Sequence, residues 1–288
     1  MGNTYAIITP SYVKDFERCK LLVETKRKFL KENVVQYIVI DKSDTNLFKQ
    51  LESSDTKLLV KQKILPWWIK KLPFLINNKT VWFSLKGKLL RGWIIQQMIK
   101  LGIAEHVQED ILVYMDSDEF FVKETSFDEL FLKDGKIRLF RGNEGCGLRW
   151  AKTVAEILSL DVSDCRRYSF VGHPVTWSRA KVLDLLRFIE KKHKADWHSV
   201  ISKYWNFSEY QLYGCYTVFA EKSDESLYTT PVDYSHQLAW KNGVCPDPLS
   251  EQECIEFFNA IKDDKYFGMI TSASKTPLEN YSNILRAL

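Results

Sequence analysis

The apolar run Ile111-Leu-Val-Tyr-Met115 stops abruptly at Asp116, and it is the clearest strand signal in the chain. A shorter run, Tyr5-Ala-Ile-Ile-Thr9, ends at Pro10 and predicts a first strand. Between Lys14 and Leu30 the apolar positions Phe16, Cys19, Leu22, Val23 and Phe29 recur at helical spacing, and Gln36-Tyr-Ile-Val-Ile40 then predicts a second strand closed by Asp41. Strand, helix and strand in so short a span form a βαβ unit. Parallel sheets built from such units bind ligands at the carboxyl ends of their strands, which here are Thr9 to Tyr12 and Asp41 to Asp44. Further along, the pattern predicts a third strand at Lys57 to Val60 and helices over Gly92 to Leu101, Arg179 to His193 and residues 251–262. Residues 126–150 are mixed, with a turn at Asp134-Gly135, and the last twenty or so residues carry little periodicity. No internal repeat or low-complexity tract interrupts the chain.

Composition narrows the class. A 288-residue chain that is 45% hydrophobic and 27% charged can bury a large core, and its net charge of +4 does not mark a nucleic-acid binder. The six cysteines lie far apart with no Cys-x-x-Cys pair, which argues against a zinc knuckle or a disulfide framework. Neither a signal peptide nor a spanning segment is evident, so the expectation is a cytoplasmic protein, at most peripheral on the inner face of the cell membrane.

Two carboxylates at i and i+2, Asp116 and Asp118, follow the best strand and can both face one cation if the extended geometry continues. Hard divalent ions such as Mg2+ or Mn2+ prefer oxygen ligands and keep open positions for phosphate, which suits a diphosphate leaving group. The bland alternative is a polar loop at a strand end, and an isolated Asp-x-Asp fits that reading more often. Its place after the most hydrophobic strand and a βαβ start favours chemistry.

Four ordered motifs add specificity: Thr9-Pro-Ser-Tyr12, Gly92-Trp93 with Gln96-Gln97, Tyr114-Met-Asp-Ser-Asp118, and Ser208-Glu-Tyr-Gln-Leu-Tyr-Gly214. Together, over residues 4–240, they resemble a bacterial family of GT-A-like proteins, often known only as a domain of unknown function and found among polysaccharide-synthesis enzymes. The resemblance implies a single α/β domain with a GT-A (Rossmann-like) fold and a mostly parallel central sheet flanked by helices. Residues 1–125 would form the nucleotide-sugar-binding half, 126–245 the acceptor-binding half and 246–288 a C-terminal helical extension.

It further implies a metal-dependent glycosyltransferase (hexosyltransferase type) that uses Mn2+ or Mg2+ and a nucleotide-diphosphate sugar, UDP-sugars being favoured. The acceptor would be a saccharide or a lipid-linked saccharide in bacterial surface polysaccharide synthesis. Carried over by position, Asp118 would bind the metal, and Asp116 the metal through water or the ribose. Asp41 would meet the base or ribose. Ser11 and Tyr12 would lie beside the nucleotide, with Thr9, Arg91, Gln97 and Ser117 also on the donor side. His236, in Asp233-Tyr-Ser-His-Gln-Leu-Ala-Trp240, matches the region that supplies a third metal ligand. His173, Trp177 and Tyr210 would line the acceptor cleft, although aromatic side chains at such positions are equally often core.

An inverting transfer needs a general base, and Glu209 fits the resemblance as well as its own local chemistry. Ser208 is a suitable N-cap, and a carboxylate in the first helical turn is favoured there. Complementing the helix terminus is the competing role. Two other functions stand against the transferase reading: a non-catalytic sugar- or lipid-binding module on a degenerate GT-A fold, and a HAD-like phosphotransferase, whose Asp-x-Asp normally continues with Thr or Val rather than Glu119-Phe120.

Lys57 to Lys100 contains ten basic residues (Lys57, Lys61, Lys63, Lys70, Lys71, Lys79, Lys86, Lys88, Arg91 and Lys100) and no acidic one, which leaves the rest of the chain net acidic. Trp67, Trp68, Phe74, Trp82, Phe83 and Trp93 are interleaved with them. The stretch suits contact with an anionic membrane, an ordinary solvated face, or Lys86, Lys88 or Arg91 reaching the donor pyrophosphate or an anionic acceptor.

Overall fold

Strands that are covered on both faces read as continuous apolar runs, and the first strands of this chain do so for that reason. The computed structural model describes residues 3–76, 79–86, 88–142, 144–222, 227–230, 233–239 and 244–288, with side chains other than those of 73–76, 79, 80 and 88. Its strands of three or more residues are β1 (Tyr5–Pro10), β2 (Val35–Ile40), β3 (Thr56–Val60), β4 (Ile69–Ile76), β5 (Lys79–Ser84), β6 (Lys88–Arg91), β7 (Ile111–Tyr114), β8 (Glu119–Phe121), β9 (Val175–Ser178), β10 (Ser235–Leu238) and β11 (Phe267–Ile270). The longer helices are α1 (Phe16–Phe29), α2 (Gly92–Gly102), α3 (Leu148–Leu158), α4 (Arg179–His193), α5 (Glu209–Cys215) and α6 (Glu251–Ile261), and α7 (Ser282–Ala287) closes the chain.

The central sheet runs β9-β7-β1-β2-β3. All its pairings are parallel except β9 with β7. Along β1 the side chains alternate: Ala6 and Ile8 join the large core beneath α2, α4 and α5, while Tyr5 and Ile7 join the opposite core beside α1. Because β2 and β7 lie on opposite sides of β1, the strand order reverses at β1, and a crevice opens at the carboxyl ends of these three strands. This mixed α/β arrangement with a mostly parallel five-stranded sheet agrees with the Rossmann-like expectation.

Two smaller sheets flank that crevice. In one, β10 pairs parallel with β11 and β11 antiparallel with β8, so the segment after β7 is tied to the C-terminal region. The ladders β9 with β7 and β11 with β8 cross both boundaries drawn from sequence at 125/126 and 245/246, and the three segments share one architecture. In the other, β4, β5 and β6 form an antiparallel sheet within the basic stretch, where sequence periodicity predicted only β3 and α2. The weakly periodic terminus is ordered by packing, since Tyr281 and Leu285 are buried against Phe120, Phe258 and Ile270. All six cysteines are free. Among the described residues no helix is long and apolar enough to cross a membrane.

Candidate functional site

The crevice is a cleft of about 420 Å³ lined by residues that follow the central strands. Ser11, Tyr12 and Asp15 come from the loop after β1, Asp41 from the end of β2, Lys61 from the end of β3, and Asp116, Ser117 and Asp118 from the end of β7. Gly92, Ile95 and Gln96 enter from the first turns of α2, Trp82 from β5, and Ser272 from the turn after β11. The parallel sheet therefore gathers groups distant in sequence at one edge. The lining is polar and rich in carboxylates.

Asp118 is buried, and its Oδ2 accepts the Ser272 backbone N–H at 2.7 Å. Burial raises its pKa, and the neighbouring Asp116 carboxylate raises it further. Asp15 is pushed up to about 6 by burial and then by the Asp118 charge. Two like charges thus share the cleft at a cost, which is the setting in which a bound cation stabilises both. Asp41 lies 3.7 Å from Lys61 Nζ and 3.3 Å from Lys71 Nζ, and Lys61 also donates to the Ser11 carbonyl at 3.3 Å.

Behind Asp116 lies a second layer. Lys100 is buried in α2, and its ammonium sits 2.9 Å from Asp116 Oδ1, 2.6 Å from the Tyr210 hydroxyl and 3.7 Å from Glu209 Oε1. Burial alone would lower the Lys100 pKa, but Asp116, Tyr210 and Glu209 outweigh it and hold the pKa well above the ordinary value. In turn, burial raises the pKa of Asp116, yet Lys100 and His173 leave it below its ordinary value.

The His173 ring lies 3.1 Å from Glu119 Oε1 and 3.9 Å from Asp116 Oδ2, and the Asp116 backbone N–H donates to Glu119 Oε1 at 2.6 Å. Burial opposes charge on His173, but the two carboxylates raise its pKa overall, whereas burial pushes Glu119 up to about 7. Ligand atoms of Asp116, Glu119 and His173 all fall within 4.8 Å of one another, a spacing that also fits a metal ion. Lys100 already supplies positive charge to that group through Asp116. On the cleft side Asp118, Asp15 and Asp116 line the same wall, and their carboxylates are the oxygen groups that face its interior.

One family model spans residues 5–287, from β1 to α7, and describes a family of unknown function. The chain belongs to DUF6492. No curated protein matches it.

In this DUF6492 chain the residues singled out from sequence fall into three places. Ser11, Tyr12, Asp41, Asp116, Ser117 and Asp118 line the cleft together. His173, Glu209 and Tyr210 belong to the layer around Lys100 and Asp116, not to the cleft lining. The others lie elsewhere. Thr9 is buried in β1, where its hydroxyl accepts from Gln36 at 3.1 Å. Gln97 is buried and accepts the Glu209 backbone N–H at 3.0 Å, so it fastens α5 to α2 rather than facing a nucleotide. Arg91 is exposed, over the rings of Trp93 and Trp205. Trp177 is core, stacked on Tyr213 with ring centroids 4.6 Å apart.

His236 is exposed on β10 and packs on Phe257, with ring centroids 5.1 Å apart. Gln237, one residue on and therefore on the other face of the strand, donates to the His173 carbonyl at 2.6 Å. Alternation thus turns His236 away from the His173 side, and Trp240 lies outside the described residues.

Sequence reasoning missed Asp15, Lys61, Gln96, Ser272, Lys100 and Glu119. Three of these had a readable signal. Lys61 follows β3 just as Asp41 follows β2, and Asp15 sits in the loop already marked as a strand end. Lys100 is polar at i+3 from Gln97 on a helix face that is otherwise apolar. Ser272 carried none, because it arrives through the pairing of β11 with β8.

Proposed function

We propose that this chain is a metal-dependent glycosyltransferase of GT-A type, transferring a sugar from a nucleotide-diphosphate donor to a saccharide or lipid-linked saccharide acceptor. What carries the reading is the convergence of Asp15, Asp116 and Asp118 on one cleft at the carboxyl ends of β1 and β7, with Asp41 and Lys61 across it at the ends of β2 and β3. The cleft volume suits a nucleotide-sized ligand.

Asp118, with Asp15 and Asp116 beside it, would hold Mn2+ or Mg2+. When bound, such an ion supplies charge that stabilises a diphosphate as the sugar bond breaks. The residues of the chain do the positioning. Asp41 would meet a ribose or base, Lys61 a phosphate oxygen, and Tyr12, half-exposed in the cleft lining, a ring. Glu209, buried beside Lys100, orients Lys100 and through it Asp116. That positioning role takes precedence over proton removal from an acceptor in the cleft.

The test is hydrolysis and transfer from a panel of UDP-, GDP- and CDP-sugars with and without Mn2+, together with calorimetric Mn2+ titration of Asp118→Asn and Glu119→Gln. Expected are Mn2+-dependent release of a nucleoside diphosphate and loss of both metal binding and turnover in Asp118→Asn, with Mn2+ affinity kept in Glu119→Gln. Metal affinity lost only in Glu119→Gln would put the cation in the His173 group and refute the assignment. Absence of any nucleotide-sugar turnover or binding would refute the function.

A further inference from the structure

The antiparallel sheet β4-β5-β6 has two unlike faces. Cross-strand partners share a face, and the register Lys71 with Trp82 and Trp82 with Leu90 sets one of them. Trp82 and Leu90 are buried in the large core, and Trp82 reaches the cleft. The other face follows from Lys70 with Phe83, Phe83 with Leu89, and Val81 with Arg91. Lys70, Leu89 and Arg91 on it are exposed, and Phe83 and Val81 are half-buried.

At one end of this sheet the exposed apolar surface concentrates. Trp67 just before β4 is 74% exposed, Leu85 just after β5 is 54%, and Leu89 in β6 is 51%. The start of β4, the end of β5 and the start of β6 meet at this end, where the Leu85 N–H donates to the carbonyl of Trp68, the residue after Trp67, at 2.9 Å. Lys63, Lys70 and Lys86 are exposed around them, and no acidic residue occurs anywhere from Lys57 to Lys100. The structure removes Lys100 from this basic set by burying it, ties Lys61 and Lys71 to Asp41 and Lys86 to Ser199, and leaves Lys63 and Lys70 exposed.

We infer that the outer face of β4-β5-β6 is a docking surface for an anionic lipid bilayer, with Trp67, Leu85 and Leu89 entering the headgroup region and Lys63 and Lys70 meeting the lipid charge. Tryptophan and leucine rimmed by lysine is the chemistry of interfacial binding. Charge decides the occupant. A second copy of this chain would bring one basic face against another, which is repulsive. Nucleic acid is attracted by the lysines and would find one ring in Trp67, but Leu85 and Leu89 beside it are aliphatic area that suits acyl chains and not base stacking. The inference stands apart from the chemistry of the cleft, although it would bring the cleft's Trp82 edge close to membrane-held substrates.

Co-sedimentation of the whole protein with phosphatidylcholine vesicles, with and without phosphatidylglycerol, tests it. Wild type is expected to pellet with the anionic vesicles and stay in solution with the neutral ones, with recovery falling as salt is added. Each lysine at an anionic surface contributes about fivefold in partitioning, so Lys63→Gln/Lys70→Gln should lose about 30-fold. Leu85→Ser/Leu89→Ser should also release the protein while its melting temperature stays that of wild type, because both side chains are more than half exposed. Asp118→Asn should pellet like wild type, which separates this inference from the fate of the transferase reading. Equal recovery on both vesicle types, or double variants that pellet unchanged, would overturn it. So would a solution dimer or an oligonucleotide complex abolished by these variants in a protein that ignores vesicles.

Discussion

Lys100 gives the sharpest test of how the site is held. The substitution Lys100→Met keeps the length of the aliphatic stem in α2 and removes the ammonium that gathers Asp116, Glu209 and Tyr210. Glu209 is buried and Asp116 mostly so, and taking one partner from a buried ion pair leaves carboxylates without their countercharge. Such deletions cost about 3–5 kcal/mol, a large part of the roughly 5–15 kcal/mol that stabilises a typical domain. In urea, with a slope of about 3 kcal/mol per molar, the midpoint should fall by about 1–2 M.

The loss must depend on pH. In the wild type, Lys100 and His173 outweigh burial and hold Asp116 below its ordinary pKa, so that carboxylate contributes stability above its unfolded value and loses it as pH falls. In the variant, burial acts without Lys100, both carboxylates bind protons more tightly folded than unfolded, and stability drops as pH rises. The second effect makes the deficit larger at pH 8 than at pH 5, since the wild-type Asp116 contribution is already complete above its unfolded value and changes little in that window. The double variant Lys100→Met/Glu209→Gln should recover part of it, because one stranded charge is gone. A midpoint within about 0.2 M of wild type at pH 8, or a deficit that does not change with pH, would refute the argument, since a slope of about 3 kcal/mol per molar makes such a shift less than 1 kcal/mol.

Two further outcomes follow from single groups. Asp15 is buried, and its pKa stands at about 6 against 3.8 when unperturbed, so the native state binds its proton more tightly than the unfolded chain. Its contribution to stability is fully present below the unfolded value and is lost as pH rises through about 6, a total of about 3 kcal/mol for a shift of this size. Asp15→Asn should therefore melt higher than wild type above pH 6 and converge with it near pH 4, whereas parallel melting curves across that range would contradict a pKa raised by burial and the Asp118 charge. In α5, a Cβ added at Gly214 would sit 2.0 Å from Phe170 Cγ, and Phe170 is buried. Gly214→Ala should cost about 3 kcal/mol in urea unfolding, partly recovered with Phe170→Leu, and an unchanged midpoint would show that the ring moves freely.

Much of the frame was legible because hydrophobic burial writes itself into local runs. β1, β2 and β7 are buried on both faces, so each reads as a continuous apolar segment, and the polar residues directly after them, Ser11, Asp41, Asp116 and Asp118, are the cleft. The outer sheet was illegible for the converse reason. Only one face of β4-β5-β6 is buried, and lysines occupy positions on both faces, Lys70 outward and Lys71 inward toward Asp41, so alternation is blurred. The expected site residues that lie elsewhere, Thr9, Arg91, Gln97, Trp177 and His236, were chosen by type and approximate position along the chain, while their side-chain directions are set by helix packing and strand alternation. Lys100 was counted among the surface cations because composition does not reveal which lysine on a helix faces Asp116.

The division between cleft and rear layer also bears on how ligands would assemble. A nucleoside diphosphate entering alone would meet Asp15, Asp41, Asp116 and Asp118, with Lys61 the one lysine lining the cleft among the described residues. Unit charges about 4 Å apart at a protein surface interact by about 4 kcal/mol, so a bare diphosphate is repelled more than it is attracted. On the proposed function, a divalent cation at Asp118 and Asp15 would reverse that balance, and it would meet little opposition from Lys100, which is paired with Asp116, Glu209 and Tyr210. Cation and nucleotide must then strengthen each other's binding by the same factor. Burial first and the Asp118 charge second raise the pKa of Asp15, and a cation beside these carboxylates would relieve the second of the two.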